Sequence, residues 1–80
     1  MLYKNAEIEN VTFQALAHPT RRTIIRILQS RNQGVSYTEL ITELGLSSGK
    51  LNYHLEHLKG LIEKNSNHYY VLTPFGKKGV

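Results

Sequence analysis

Apolar residues recur along most of this chain at helical spacing, and the interruptions divide it into short elements. Ile8, Val11, Ala15 and Leu16 stand at i, i+3, i+7 and i+8, with Glu7 and Glu9 in the electropositive first turn, so a first helix is predicted over residues 6–17. His18 and Pro19 interrupt it. Proline suits the first position of a new helix, where its missing N–H would have had no intrahelical partner, so a second helix is predicted from Pro19 to about Ser30. Its apolar face is Ile24, Ile25, Ile27 and Leu28, and Arg31, Asn32, Gln33 and Gly34 end it.

The strongest local signal is Ser36-Tyr37-Thr38-Glu39. Ser36 can accept from the Glu39 N–H while the Glu39 carboxylate reaches back to the Ser36 N–H, and Val35 and Leu40 occupy the two positions of a hydrophobic staple. The helix that starts here buries Tyr37, Leu40, Ile41 and Leu44 at i, i+3, i+4 and i+7, and Gly45 stops it. Ser47 or Ser48 then caps another helix, with Leu51, Leu55 and Leu58 as its narrow core stripe. Two short amphipathic helices joined through Gly45-Leu46-Ser47 read as a helix-turn-helix. Beyond Gly60, Leu61 to Lys64 and His68 to Leu72 are strand-like around the turn formers Asn65-Ser66-Asn67, which predicts a β-hairpin. Thr73-Pro74 then reads as an N-cap and first helical residue, so a last helix begins near Phe75.

The expected fold class is therefore mainly α with a small β-hairpin, in the order of a winged helix-turn-helix, over residues 1–80. The last helix has barely begun at Val80, so it is expected either to be short or to belong to the N-terminal part of a longer protein.

Composition narrows the function. Eighty residues with ten Lys or Arg against six Asp or Glu carry a net charge of +4. A chain of this size buries only about 60% of its unfolded surface, so its core is thin, a partner subunit would help it, and an enclosed active site has little room. No apolar run approaches the roughly 18 residues of a membrane span, and the N-terminus lacks a secretion signal, so an intracellular, cytoplasmic protein is expected. Zero cysteines remove disulfides, thiolate metal sites and cysteine nucleophiles together. Residues 1–40 and 41–80 each hold five basic and three acidic groups, so the charge can act only once folding gathers it on one face.

Three stretches, in order, carry a likeness. Ala15-Leu16-Ala17-His18-Pro19-Thr20-Arg21-Arg22, then Asn52-Tyr53-His54-Leu55, then Gly60-Leu61-Ile62-Glu63-Lys64 resemble the ArsR-like family of prokaryotic winged helix regulators over roughly residues 10 to 76. The Tyr-Tyr-Val-Leu-Thr-Pro-Phe-Gly ending looks most like archaeal members. The resemblance implies a DNA-binding transcriptional regulator, a repressor, paired as a homodimer through its first and last helices. Three departures stand out. Ile41 occupies a position where the family usually has a small alanine, Lys59 alone separates Leu58 from Gly60 where many members have three residues, and the family's thiolate metal sensor is missing.

The residues themselves point the same way. With Leu51, Leu55 and Leu58 inward, Ser48, Lys50, Asn52, Tyr53, Glu56 and Lys59 face outward. Lysine can donate to guanine O6 and N7, and asparagine can pair with adenine N6 and N7, at the end of a helix that enters the major groove. Lys50, Asn52 and Tyr53 are thus candidates for base or sugar contact. Ser47, Ser48, Gly49 and Lys59 are candidates for the phosphate backbone, since small residues let the helix N-terminus approach an anion. An ordinary solvated helix face would carry similar residues. In the hairpin, Lys64, Asn65, Asn67 and His68 are of the kind used beside the minor groove, though a bare turn would look alike. Arg21 and Arg22 oppose the helix dipole; an internal pair of Arg21 with Glu39 or Glu43 is favoured slightly over a phosphate.

Other chemistries find less support. His54 and His57 share one helical side but make an incomplete metal site, and His54 is expected to pack at the helix-turn-helix crossing with its ring hydrogen-bonded. No phosphate loop, paired-acid motif or serine elbow appears, so neither an enzyme nor a cofactor, metal or small-molecule site is expected. Phe13, Tyr69 and Phe75 read as core or subunit contacts and Tyr3 as a contact to a partner's first helix. The expected partner is double-stranded DNA. The rival readings are a protein-interaction module within a larger transcription or replication factor, and a binder of structured RNA.

Overall fold

A computed structural model describes residues 16–78 of the chain. The predicted helix over residues 6–17, with Tyr3 and Phe13, lies almost wholly outside them; Leu16 and Ala17 are helical and a bend at His18 follows. The described residues form four helices and one hairpin: α1 (Pro19–Ser30), α2 (Tyr37–Leu44), α3 (Ser48–His57), β1 (Ile62–Lys64), β2 (Tyr70–Leu72) and α4 (Pro74–Lys78). The architecture is mainly helical with a small two-stranded antiparallel sheet.

Each helix starts where a side chain can satisfy its orphan N–H groups. At α1, Pro19 is the first helical residue and the His18 ring accepts from the Thr20 N–H at 3.3 Å. At α2, Ser36 Oγ accepts from the Glu39 N–H at 3.1 Å while Glu39 Oε1 accepts from the Ser36 N–H at 3.3 Å, the reciprocal cap expected. Val35 and Leu40, on either side of that cap, are both fully buried. Gly45 ends α2 in the left-handed conformation at φ 64°. Thr73 Oγ1 accepts from the Gly76 N–H and donates to the Gly60 carbonyl, tying the start of α4 to the turn before the hairpin.

The core gathers Ile24, Ile25 and Leu28 of α1 with Val35, Leu40, Leu51, Leu58, Leu61, Ile62 and Leu72. Burying such a side chain is worth about 1.5–3 kcal/mol, so these ten positions outweigh every surface contact described below. Tyr37, Ile41, Leu44, Leu55 and Phe75 pack against the core half-buried.

The strands are shorter than expected. They pair Ile62 with Leu72, Glu63 with Val71 and Lys64 with Tyr70. Leu61 lies in the preceding turn, where its carbonyl accepts from the Thr73 N–H. His68 falls outside β2 because it takes a left-handed conformation at φ 65°, and Tyr69 follows it unpaired with β1. The cause is Asn65, whose side-chain oxygen accepts from the N–H groups of Asn67 and Tyr69 while its own N–H donates to the Tyr69 carbonyl, closing a compact turn. On its other edge Tyr70 exchanges two hydrogen bonds with Val35, at 3.0 and 2.8 Å, so the α1–α2 connector adds a bridge to the sheet. Gly34 stands beside that bridge at φ 97°, where a Cβ would come within 2.8 Å of Tyr69 Cβ.

Candidate nucleic-acid interface

The start of α3 is set by Ser47, whose extended backbone (φ −70°, ψ 159°) and Oγ, accepting from the Lys50 N–H at 3.2 Å, make it the cap. Leu51 is fully buried, His54 nearly so, and Leu58 closes the seam just past the last turn. With those three inward, Ser48, Gly49, Lys50, Asn52, Tyr53, Glu56, His57 and Lys59 are all exposed on the outer side. Lys50 and Asn52 are thus not packed beneath other described parts of the chain.

Two of these exposed groups are held from behind. The Tyr37 hydroxyl, at the first residue of α2, lies 2.8 Å from Asn52 Oδ1 and 3.3 Å from the Ser48 carbonyl oxygen. Tyr53 is 57% exposed, yet the Arg21 guanidinium carbon sits 5.6 Å from its ring centroid and the His57 ring meets it edge-on at 4.6 Å. Such contacts limit the rotamers of an exposed aromatic without covering its outer edge.

Arg21 does not pair with Glu39 or Glu43. It is 7% exposed, and its Nε donates to His54 Nδ1 at 3.2 Å. The two glutamates bind Arg31 instead, Glu39 at 3.5 Å and Glu43 more closely, because Arg31 lies just beyond the end of α1 and over the same face of α2. Arg22 donates to the Leu16 carbonyl. His54 is buried and hydrogen-bonded as expected, but its bond reaches the first turn of α1, not α2. Burial holds its imidazole below the ordinary histidine pKa, and the neighbouring His18, Arg21 and His57 push the same way.

The hairpin presents its groups unequally. Lys64 is exposed with its Nζ 5.4 Å from the Tyr70 ring centroid. Asn67 and His68 are exposed at the turn. Asn65 is half-buried, its oxygen engaged within the turn and its Nδ2 donating to the Gln33 carbonyl, so its side chain shapes the hairpin. Tyr69 is 39% exposed and lies outside the core, whereas Phe75 packs against it. Between α3 and the hairpin runs an open cleft of about 320 Å³, walled by Asn52, Glu56 and Lys59 on one side and Glu63 and Tyr70 on the other.

His54 and His57 do not converge. The first turns toward Arg21 and His18, the second toward Tyr53. Among the described residues no three His, Asp or Glu side chains come together as a cage for a metal ion, and no helix is long and apolar enough to cross a membrane. The groups that sequence reasoning missed are Tyr37, given only a core role, and the Arg21–His54 pair. Neither carries a local signal: their partners lie 15 and 33 residues away.

Residues 9–80 match the model of a family described as a domain of unknown function (DUF7347). No curated protein matches the chain.

Proposed function

We propose that this chain, which belongs to the DUF7347 family, is a winged helix-turn-helix regulator that binds duplex DNA, with α3 in the major groove and the hairpin as the wing. One observation carries the reading: away from the leucine seam α3 leaves Lys50, Asn52 and Tyr53 exposed, with Lys59 exposed just beyond its end, and it begins at a capped helix start with small residues. The resemblance to ArsR-like regulators supports it, and so does the α2-turn-α3-hairpin order.

Lys50 donates to a guanine O6 or N7, Asn52 reads a neighbouring base edge, and Tyr53 lies against sugar. The Ser48 and Gly49 N–H groups precede the first intrahelical bonds and approach a phosphate, with Ser47 and Lys59 on the same backbone. Lys64, Asn67 and His68 meet the adjoining backbone or minor groove, while Asn65 keeps the turn in shape. The protein acts as a homodimer joined through its first and last helices, reading half-sites about 34–36 Å apart, and represses by occupying the promoter.

The test is binding of the chain to a duplex selected from a random pool, followed by fluorescence anisotropy from 50 to 200 mM salt. With six to ten phosphates neutralised per dimer, affinity falls about 10³- to 10⁵-fold across that range, and Lys50→Glu abolishes the enrichment. A shallow salt slope with structured RNA competing equally well overturns the reading. Unchanged function in Lys50→Glu and Asn52→Ala, with loss on altering apolar surface residues, favours the protein-interaction module instead.

A further inference from the structure

Asn52 is not a free-standing reader. The Tyr37 hydroxyl reaches it from α2, and a phenol has one proton to give. It is directed at Asn52 Oδ1, the nearer acceptor at 2.8 Å, with the Ser48 carbonyl as a second, longer acceptor at 3.3 Å. Tyr37 itself packs half-buried against the core, so its ring is anchored and the hydroxyl arrives from a fixed direction. The amide of Asn52 is therefore turned with its oxygen toward α2 and its two N–H groups toward the outside.

We propose that Tyr37 is a specificity-determining positioning residue: by holding the amide oxygen of Asn52 it makes that side chain a donor, and so selects guanine at the base pair Asn52 faces. This rests on the DNA-binding reading above. An unconstrained asparagine prefers adenine because its oxygen accepts from N6 while its nitrogen donates to N7. An oxygen already accepting a phenol proton is a poorer partner for adenine N6. Guanine offers two adjacent acceptors, N7 and O6, to the outward NH₂ group. Cytosine N4 would set donor against donor, and thymine offers a single acceptor beside a methyl group. Tyr37 thus touches no DNA and acts through Asn52.

The test is parallel selection from random duplex DNA by the wild-type chain, Tyr37→Phe and Asn52→Ala, with melting curves to verify that each variant is folded. Removing one hydroxyl leaves the Tyr37 ring packed, so Tyr37→Phe folds. The wild-type chain enriches guanine at one position of the site. Tyr37→Phe enriches adenine there, reversing the preference by about tenfold with the other positions unchanged, and Asn52→Ala loses preference at that position alone. A purely structural role for Tyr37 would lower affinity for all sequences equally. Identical base profiles for wild type and Tyr37→Phe, or an unaltered profile for Asn52→Ala, overturn the proposal and leave the DNA-binding reading standing. Enrichment of no duplex by the wild-type chain overturns both.

Discussion

Arg21 Nε donates to His54 Nδ1, fastening the first turn of α1 to the inner side of α3 across 33 residues of sequence. The bond requires Nδ1 to be the unprotonated ring nitrogen, so His54 is neutral in the folded chain with its proton on Nε2. A charged His54 would set an N–H against the Arg21 N–H. The tilted His18 ring, 4.6 Å away between centroids, closes the other side.

Stability consequently falls on acidification. The unfolded chain protonates His54 near pH ~6.5, and the folded chain does so only at lower pH, because burial and then His18, Arg21 and His57 oppose the charge. Between those two values the unfolded state binds more protons, so this contribution is complete above the unfolded value and is lost as pH drops through the window beneath it. Thermal melts of the wild type at pH 7.5 and 5.5 show the decline. His54→Asn, whose amide oxygen can still accept from Arg21 but does not titrate, flattens it; an equal decline in this variant removes His54 as the cause.

Two glycines separate crowding from backbone strain. A Cβ on Gly76 would fall far inside van der Waals contact distance of the Leu61 carbonyl oxygen and 3.0 Å from its carbon, atoms of a backbone held by the Thr73 N–H. Gly76→Ala is expected to cost about 3 kcal/mol. Gly45 has open space around it but a positive φ, so Gly45→Ala costs about 1 kcal/mol. Urea unfolding measures both, and a reversed order contradicts the packing of α4 on the turn before the hairpin.

Gly49 offers an experiment in which stability and binding part company. It lies in the first turn of α3 with nothing within 4 Å of a Cβ, so Gly49→Ala raises stability by about 0.5 kcal/mol. In the proposed complex the added methyl group stands between the helix start and a phosphate, and duplex affinity drops. A variant that melts higher and binds as well as wild type places the phosphate elsewhere.

The two sides of α3 differ in what they support. Leu51 is fully buried, and Leu51→Ala costs about 2–5 kcal/mol. Lys50, next to it and exposed, changes stability by less than about 0.5 kcal/mol on replacement by alanine. Comparable losses from both substitutions, measured by chemical denaturation, contradict the orientation of the helix.

What could be read from the chain was local. Ser36 and Glu39 are three residues apart, Thr73 and Pro74 adjacent, and the leucines of α3 separated by one or two turns, so cap, first helical residue and seam are all visible in short windows. The strands end sooner than their composition predicts because Ile, Tyr and Val favour strands regardless of context, whereas the Asn65 side chain draws the chain into a turn before the ladder can extend. Arg21 departs from the expected pairing for a different reason. Two carboxylates of opposite charge were available in the sequence, but Arg31 reaches them first, and a neutral imidazole buried beside Arg21 gives no charge pattern to find. Tyr37 shows the limit of amphipathic bookkeeping: its ring belongs to the core and its oxygen to the outer face.

Val35 and Tyr70 clasp each other through both of their peptide groups, and Val35 immediately precedes the Ser36 cap of α2. A pull on the hairpin tip is therefore transmitted as a load on the base of α2. Anything that grips the tip thereby also gains purchase on the helix whose tyrosine hydroxyl bonds Asn52.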